Sequence, residues 1–290
     1  MVIPVTQPLF KYFGHKDADQ PLDNGGLKVL ANRSLKVTPP NEFNDPFEFS
    51  PVVRPSETIE QQIESISSRA YFDQHFPAHP NWRSYDHYQE CIRVKNDIVK
   101  QRLATDSLKL AKDLQDNFPT FASKLVGVIC FSSEPAQPLM WAHYASAHTG
   151  LMLEFAAGCP LFQEMGFLKV NFSQVDYPPD RTKPVFDPSK PTETLRQLEQ
   201  IARRKSIDWK HEAEYRVIVE LRRTHTPDGS KLHLLPIDPS WIMSVTFGLR
   251  CPEPLRTEVA RLLTQSELKH IRSFEIKMHR ETFELNRHEL

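Results

Sequence analysis

The chain has 290 residues, with 36 Lys and Arg against 37 Asp and Glu, and a formal net charge of −1 at pH 7. With this balance, the net charge of the protein does not attract it to nucleic acid or to an anionic membrane. A local basic patch is still allowed. The length suits one large domain or two small ones, and either can bury a sizeable core.

The cysteines and the N-terminal residues narrow the class of protein further. Four cysteines, without CxxC or Cys/His spacing, are spread along the chain: Cys91, Cys130, Cys159 and Cys251. This spacing argues against a structural zinc site and a disulfide framework, so we expect reduced, mostly buried thiols. No signal-peptide pattern opens the chain, and no segment approaches the roughly 18 apolar residues that span a bilayer. We therefore expect a cytoplasmic protein without a membrane partner.

The N-terminal part predicts a few short elements and then helices. Residues 8–13 and 27–37 predict short strands or a helix followed by a strand, and the segment NEFNDPFEF predicts a turn-rich loop. Residues 56–72 and 85–118 predict helices, and the second has apolar residues at mixed spacings of three and four that form one stripe. We interpret residues 56–118 as a helical insertion between strands.

From Leu125 onward the pattern changes to short strands rich in branched residues. They are LVGVICFS, GLMLEF, FLKVNFSQV, YRVIVEL, KLHLLPI, WIMSVTFG and FEIKMH. Helices are predicted around residues 193–207 and 254–265. Clustered strands with segregated helices predict an α+β fold with a mixed or antiparallel strand-rich core, in one domain of residues 1–290. No GxGxxG or GxxxxGK loop occurs in the sequence, which removes the main support for Rossmann and P-loop folds.

The segment PLMWAHYASAHTG, residues 138–150, contains the densest group of aromatic and histidine side chains. A proline at the first helical position predicts a helix of about two turns, with His148 one turn after Tyr144. Trp141 suits the core. The polar tips of Tyr144, His143 and His148 suit either a surface or a cleft between two strands.

A second segment, KVTPPNEFNDPFEF, residues 36–49, predicts a rigid turn. Asn44 and Asp45 can bond their own downstream backbone, and the proline after them fixes the backbone angle. The turn is expected to be anchored to a core by three phenylalanines that bracket it: Phe43, Phe47 and Phe49. Turn formation alone explains this pattern, but a polar tip held so rigidly can also grip an amide or a ribose of a ligand.

A third segment, DWKHEAEYRVIVEL, residues 208–221, places charges at the start of a strand. Side chains alternate in an extended chain, so Glu212, Glu214 and Arg216 are predicted to share one face. They form either a solvated charged face, with Arg216 neutralising its neighbours, or a site in which a carboxylate bonds a sugar or stabilises positive charge. At the mouth of the strand we expect Glu214 to be partly solvated, so that Glu214→Gln would change activity more than stability.

Four segments occur in a fixed order between about residues 8 and 250. They are Phe10-Lys11-Tyr12, then Phe43-Asn44-Asp45-Pro46-Phe47-Glu48, then Met140-Trp141-Ala142-His143-Tyr144 with His148 and Gly150, and finally Trp209 with Glu212-Ala213-Glu214-Tyr215-Arg216. Together they resemble the bacterial family catalogued as Domain of Unknown Function 2971. That family name carries no activity, so the resemblance implies an outline of the fold and no reaction.

Lys11 with Tyr12, then Tyr144, then Glu214 also follow an order similar to that in ADP-ribosyltransferases. Those enzymes have an early strand with His or Arg beside an aromatic residue, a middle aromatic or Ser/Thr element, and a late Glu that opens a strand. Here Lys11 stands where His or Arg is expected, and no Ser-Thr-Ser element is present. The Glu-Ala-Glu tripeptide that ends at Glu214 resembles the Glu-x-Glu pattern of the arginine-modifying branch. This second resemblance implies ADP-ribosyltransferase-like sheets.

The second resemblance also implies an NAD-using transferase or NAD glycohydrolase, of a kind found in toxin or phage-defence systems, with no metal. Its substrate would be a small nucleotide, and its acceptor an unknown protein or nucleic acid. Glu214 would stabilise the positive charge that develops on the ribose, with Glu212 and Tyr144 as further catalytic residues. Lys11, Arg33 or Arg216 would pair with the pyrophosphate. Cofactor binding is assigned to Lys11, Tyr12, Asn44, Asp45, His143, His148 and Arg216.

Two alternatives stay open on the sequence alone. In one, His143 or His148 forms an acid–base pair with Glu212 or Glu214 and hydrolyses a nucleotide or RNA. In the other, the domain binds a ligand or a partner without catalysis, since sites and not folds carry function.

Overall fold

The computed structural model describes residues 6–15, 17, 19–54, 59–75, 84–94, 96–162, 172–188 and 190–290. The chain divides into two compact units. The sheet unit comprises Met1–Glu48, Thr120–Thr182 and Arg203–Leu290, and the helical unit comprises Phe49–Pro119 and Lys183–Ala202. The single domain of residues 1–290 with an insertion at residues 56–118 stays a prediction.

The strands, in chain order, are β1 (Leu9–Phe13), β2 (Ser34–Val37), β3 (Val52–Val53), β4 (Val126–Ser132), β5 (Leu151–Phe155), β6 (Phe172–Gln174), β7 (Val185–Phe186), β8 (Glu214–Glu220), β9 (His233–Pro236), β10 (Ile242–Phe247), β11 (Arg272–Met278) and β12 (Leu285–Glu289). In the described part of the sheet unit, eight of them form the main sheet, in the order β12-β11-β10-β5-β1-β4-β8-β6. Its neighbours are antiparallel except β10 and β11, which are parallel. The predicted α+β fold with a mixed, strand-rich core is confirmed.

The helices are α1 (Gly25–Asn32), α2 (Ile59–Ser67), α3 (Arg69–His75), α4 (Tyr85–Val94), α5 (Asn96–Ala122), α6 (Pro138–Tyr144), α7 (Thr194–Arg203) and α8 (Glu253–Leu263). Over residues 27–37 the helix-then-strand alternative is right, because α1 leads into β2. Most of the predicted strand FLKVNFSQV lies outside the described residues, and its last part forms β6. Among the described residues, no helix is both long and apolar enough to cross a membrane.

Strand β1 lies in the middle of the main sheet, between β5 and β4. It pairs with β5 along its whole length, from Leu9 to Phe13. Its register with β4 consists of the single pair Phe10 and Ser132. A longer ladder would keep the two strands side by side along their length. We therefore infer that β1 and β4 diverge beyond this pair.

Helix α6 ends earlier than its sequence predicts. The helix stops at Tyr144, and Ser146, Ala147 and His148 have φ angles of 47°, 51° and 72°. Residues in this left-handed conformation cannot continue a right-handed helix. The helix has about the predicted two turns, but its predicted continuation, with His148 one turn after Tyr144 on the same helix face, is wrong.

Two glycines let the backbone pack directly against this left-handed turn. A Cβ atom on Gly150 would lie 2.1 Å from the main-chain oxygen of Phe13, and one on Gly248 would lie 2.3 Å from that of His148. The amide of Gly150 also donates to the main-chain oxygen of Ala145 at 2.8 Å. These contacts tie the end of α6 to β1 and to the end of β10.

Candidate functional site

The sheet unit contains a cavity of about 390 Å³ at the place where β1 and β4 diverge. Three consecutive residues from each of these strands line it: Phe10, Lys11 and Tyr12 from β1, and Cys130, Phe131 and Ser132 from β4. Consecutive residues of a strand point to opposite faces of a sheet. A cavity that contacts all of them therefore enters the gap between the two strand edges.

The cavity collects residues from all four segments that the sequence singles out. The candidates that line it are Lys11, Tyr12, Asn44, His143, Tyr144, Glu212 and Glu214. Three further candidates are not among its lining residues: Asp45, His148 and Arg216. The catalytic and cofactor-binding roles assigned to these residues stay predictions.

Lys205 lies at the centre of a group of carboxylates and was missed by the sequence reasoning. Its Nζ atom lies 2.5 Å from Oε2 of Glu212, 3.1 Å from Oε1 of Glu48 and 3.3 Å from Oε2 of Glu214. Burial alone would lower the pKa of Lys205, but the three carboxylates raise it above its usual value. The charge of Lys205 therefore joins the loop that carries Glu48 to the segment that carries Glu212 and Glu214.

Arg216 is the second cation of this group, and it is fully buried. Its Nε and Nη2 atoms donate to both oxygens of Glu214, at 2.8 and 2.9 Å, and Nη2 also donates to Glu48. The ring of Phe43 lies 5.6 Å from the guanidinium carbon. Such a forked arrangement fixes the direction of the Glu214 carboxylate.

Glu214 and Arg216 share one face of β8, as the alternation of side chains predicts. Glu212 reaches the same group differently, because it ends a helical turn at Ile207–Glu212 and the next residue, Ala213, has a φ of 43°. The prediction of one extended run from Glu212 to Arg216 is therefore wrong. Glu214 is also only 3% exposed, so the expectation that its carboxylate is partly solvated is wrong.

Glu212 and Glu214 lie in one cavity but bind protons with very different affinity. Burial raises the pKa of Glu212 to about 7, with Glu214 adding to the rise and Lys205 opposing it. Burial would also raise the pKa of Glu214, but Arg216 and Lys205 outweigh it and lower that pKa to about 2. Glu214 is thus ionised at neutral pH, whereas Glu212 exchanges its proton close to neutrality.

Tyr144 holds the second oxygen of Glu212. Its hydroxyl donates to Oε1 of Glu212, and the side-chain amide of Asn44 donates to the same hydroxyl at 3.4 Å. Burial, followed by the charge of Glu212, raises the pKa of Tyr144 above its usual value. The tyrosine is therefore a neutral donor that orients Glu212.

The Asn44–Asp45 turn serves two purposes. Asp45 is buried, and its Oδ1 atom accepts from the amide of Phe47 at 2.9 Å, which is the turn bond that the sequence predicts. Asn44 is exposed and lines the cavity. Phe47 is 63% exposed, so its predicted role as an anchor in the core is wrong.

Tyr12 and Trp141 pack against each other beside the cavity. Their ring centroids lie 5.1 Å apart in an edge-to-face arrangement, and Trp141 is fully buried, as its sequence context predicts. The hydroxyl of Tyr12 donates to the main-chain oxygen of Glu134. Because that hydroxyl is engaged with backbone, the ring of Tyr12 contributes shape to the cavity wall.

The four cysteines are all free thiols. Cys159 is buried, but Cys91, Cys130 and Cys251 are half-buried, so the expectation of mostly buried thiols is wrong. Within the described ranges, no group of three or more His, Cys, Asp or Glu side chains is placed to hold a metal ion.

Among the comparisons with known proteins, one family model matches part of the chain. No curated protein and no solved structure matches the chain. Residues 140–217 match the model of a family described as "Protein of unknown function (DUF2971)". The matched segment runs from α6 into β8 and includes Tyr144, Lys205, Glu212 and Glu214. The match supports, for this segment, the resemblance of the chain to the DUF2971 family.

Proposed function

We propose that the cavity is an active site in which Glu212 transfers a proton, and that its substrate is a small nucleotide, with NAD as the first candidate. The observation that carries this proposal is that Glu212 and Glu214 line one cavity, with Glu212 held by Tyr144 and Glu214 fixed by Arg216. Burial raises the pKa of Glu212 to about 7, whereas Arg216 and Lys205 lower that of Glu214 to about 2, which agrees with different roles for the two carboxylates. General acid–base catalysis is most efficient when the pKa of the group lies near the working pH. Pairs of carboxyl groups separated in this way mark acid–base assignments in enzymes.

When NAD is the substrate, the group that needs a catalytic base is the acceptor. Breaking the bond between nicotinamide and ribose develops positive charge on the sugar, and nicotinamide leaves as a neutral molecule that needs no proton. The attacking group, either water or an acceptor side chain, must lose a proton, and ionised Glu212 accepts it. The enzyme would then be an NAD glycohydrolase or an ADP-ribosyltransferase-like enzyme.

Charge in the cavity supports the same role. When Glu212 is ionised, the ion-pair group has three carboxylates (Glu48, Glu212, Glu214) and two cations (Lys205, Arg216), which leaves one excess negative charge in that group. Lys11 also lines the cavity but is outside this group, since its amine donates to a main-chain oxygen. A fixed negative charge stabilises the cationic ribose more in the transition state than in the ground state. Ionised Glu212 therefore supplies both the base and this excess charge. The proposal includes an acceptor that is an unknown protein or nucleic acid. It also includes a role in a toxin or phage-defence system.

The test is NAD consumption by the purified chain, followed as nicotinamide release between pH 5 and 9. Because the base must be ionised, we expect the rate to rise with pH and to level off above about pH 7. Glu212→Gln should lower the rate by about 10²-fold or more. Glu258→Gln is the matched control and should behave like the wild type, because Glu258 is a half-buried carboxylate on α8 that pairs with Arg261 and lies outside the cavity lining. A wild type that consumes no NAD with water or protein acceptors, or a fully active Glu212→Gln, contradicts the proposal.

A second candidate is hydrolysis of a nucleotide phosphoester with His143 as the partner of Glu212. His143 is exposed, lines the cavity and has its ring centroid 6.4 Å from that of Tyr144. In that case a panel of nucleotides would release phosphate or nucleoside without releasing nicotinamide from NAD, and His143→Ala would abolish the release. Saturable nucleotide binding without any turnover would instead favour a ligand-binding domain.

A further inference from the structure

The cations in and beside the cavity differ in how well they are paired. Lys205 contacts three carboxylates, and Arg216 is fully buried and contacts two. Both are therefore already neutralised by the protein. Lys11 differs, since among the described residues no carboxylate oxygen lies within 4 Å of its amine, and its only hydrogen bond goes to a main-chain oxygen.

Lys11 lies on β1 where the cavity enters the sheet. Its Nζ atom donates to the main-chain oxygen of Cys130 at 2.9 Å, and the ring centroids of Phe13 and Phe131 both lie 5.7 Å away. An ammonium group has three donors, and the protein accepts one of them. A cation that is half shielded by aromatic rings loses hydration, which favours an anion as its neighbour.

Burial lowers the pKa of Lys11 from its usual value, and the charge of Glu214 opposes this shift without reversing it. Burial has this effect on a cation that no carboxylate contacts directly. An anion bound beside the amine would reverse part of this shift, because an opposite charge favours the protonated form. The amine is therefore better satisfied with a bound anion than without one.

We infer that Lys11 is an anion-binding residue that holds a phosphate group of the substrate, so that the cavity selects a nucleotide over a nucleoside. This deepens the proposed function, on which the identity of the nucleotide rests, but phosphate binding itself is independent of turnover. The structure distinguishes between the three cations that the sequence suggests for phosphate binding, which are Lys11, Arg33 and Arg216. Arg216 is sealed by Glu48 and Glu214, and Arg33 lies outside the cavity lining and donates to Gln265 at 2.9 Å.

The first test measures binding of inorganic phosphate to the full chain by isothermal titration calorimetry. We expect Lys11→Met to weaken phosphate binding at least tenfold, and Lys269→Met, an exposed lysine outside the cavity lining, to leave it unchanged. Wild type should also bind AMP at least tenfold more tightly than adenosine, and Lys11→Met should bind the two equally. Acetate serves as a carboxylate probe and should bind more weakly than phosphate.

A second measurement does not depend on the folding of a variant. The amines of the wild type are labelled with an acylating reagent, and the label on each lysine is quantified by mass spectrometry. Phosphate should slow labelling of Lys11 and leave Lys269 unaffected. Equal phosphate binding by wild type and folded Lys11→Met, unchanged labelling of Lys11, or acetate bound as tightly as phosphate each overturns the inference.

The outcomes also separate this inference from the proposed function. A wild type that binds phosphate through Lys11 but consumes no NAD supports the anion site and refutes the NAD reaction. Consumption of NAD by Lys11→Met with an unchanged KM refutes the anion site and leaves Glu212 as the proton-transfer group.

Discussion

Glu214 and Arg216 form a buried ion pair within one strand, two residues apart and on the same face of β8. Both side chains are shielded from water, so each charge is stabilised by the other and by Glu48 and Lys205. The attraction of a buried pair offsets its desolvation, but removal of one partner leaves an uncompensated charge in the interior.

Glu214→Gln is therefore expected to destabilise the fold, by about 3–5 kcal/mol for the loss of one partner of a buried pair. Urea unfolding followed by circular dichroism measures this change, with Glu258→Gln, at a half-buried carboxylate of a surface ion pair, as a control that changes stability by about 0.5 kcal/mol or less. The expectation from sequence was the reverse, with a large effect on activity and a small one on stability. A Glu214→Gln protein as stable as the wild type would show that Arg216 finds sufficient compensation in Glu48 alone.

Glu212 links stability to pH in the opposite direction from an ordinary carboxylate. Its pKa rises from the usual 4.5 to about 7 in the folded protein, so the folded state keeps a proton that the unfolded chain loses in this range. The resulting contribution to the free energy of unfolding is complete below about pH 4.5 and is lost as the pH rises through 7.

We therefore expect the melting temperature of the wild type to fall between pH 5 and pH 8 by more than that of Glu212→Gln. Differential scanning fluorimetry across this range measures both proteins under the same ionic strength. Glu258→Gln should follow the wild-type curve. Parallel curves for wild type and Glu212→Gln would mean that Glu212 stays ionised throughout, and it would then be unsuited to proton transfer near neutrality.

At the scale of elements, the end of α6 determines where Tyr144 lies relative to Glu212. The helix stops at Tyr144, and the left-handed turn that follows packs against main-chain atoms of β1 and of the residue after β10. Because main-chain oxygens cannot move aside as flexible side chains do, this packing leaves no space for a Cβ atom at Gly150 or Gly248.

Gly150→Ala should therefore destabilise the protein by about 1–3 kcal/mol, as overpacking of a filled interior does. Gly158→Ala is a close control, since a Cβ atom there meets nothing within 4 Å and should change stability by about 0.5 kcal/mol or less. Chemical denaturation of the two variants under the same conditions compares them directly. Equal stabilities would indicate that the turn shifts to make room, and the position of Tyr144 would then be adjustable.

The sequence predicts elements where local patterns are strong and fails where the conformation is set by distant contacts. Runs of apolar residues predict β4, β5, β8 and β10, and most of the side chains of these strands are buried. The left-handed turn at Ser146, Ala147 and His148 could not be predicted, since none of these residues is the Gly or Asn that favours a positive φ. The turn packs closely beside Gly150, which lies against Phe13 of β1, and against Gly248, which follows β10, and these contacts come from distant parts of the chain.

At the scale of the whole molecule, the sequence identifies seven residues that line the cavity and offers Arg216 as a partner of the carboxylates, but it does not identify Lys205. Residues from all four segments meet there, although the segments are up to about two hundred positions apart. Lys205 was missed because it ends the basic run Arg203-Arg204-Lys205, which is typical of a solvated surface. Its partner Glu48 comes from a distant part of the chain, and a turn brings Glu212 back onto it, so only the fold reveals why this lysine is buried.

The central position of β1 has a consequence for how the chain is made. Among the described strands this one is synthesised first, yet its neighbours in the sheet are β4 and β5, which end at Ser132 and Phe155. At typical synthesis rates of about 5–20 residues per second, its two edges wait roughly 6–30 s for their partners. Exposed strand edges are templates for association with other chains. Nascent copies of this protein are therefore expected to depend on chaperones that cover residues 9–13 until β5 emerges.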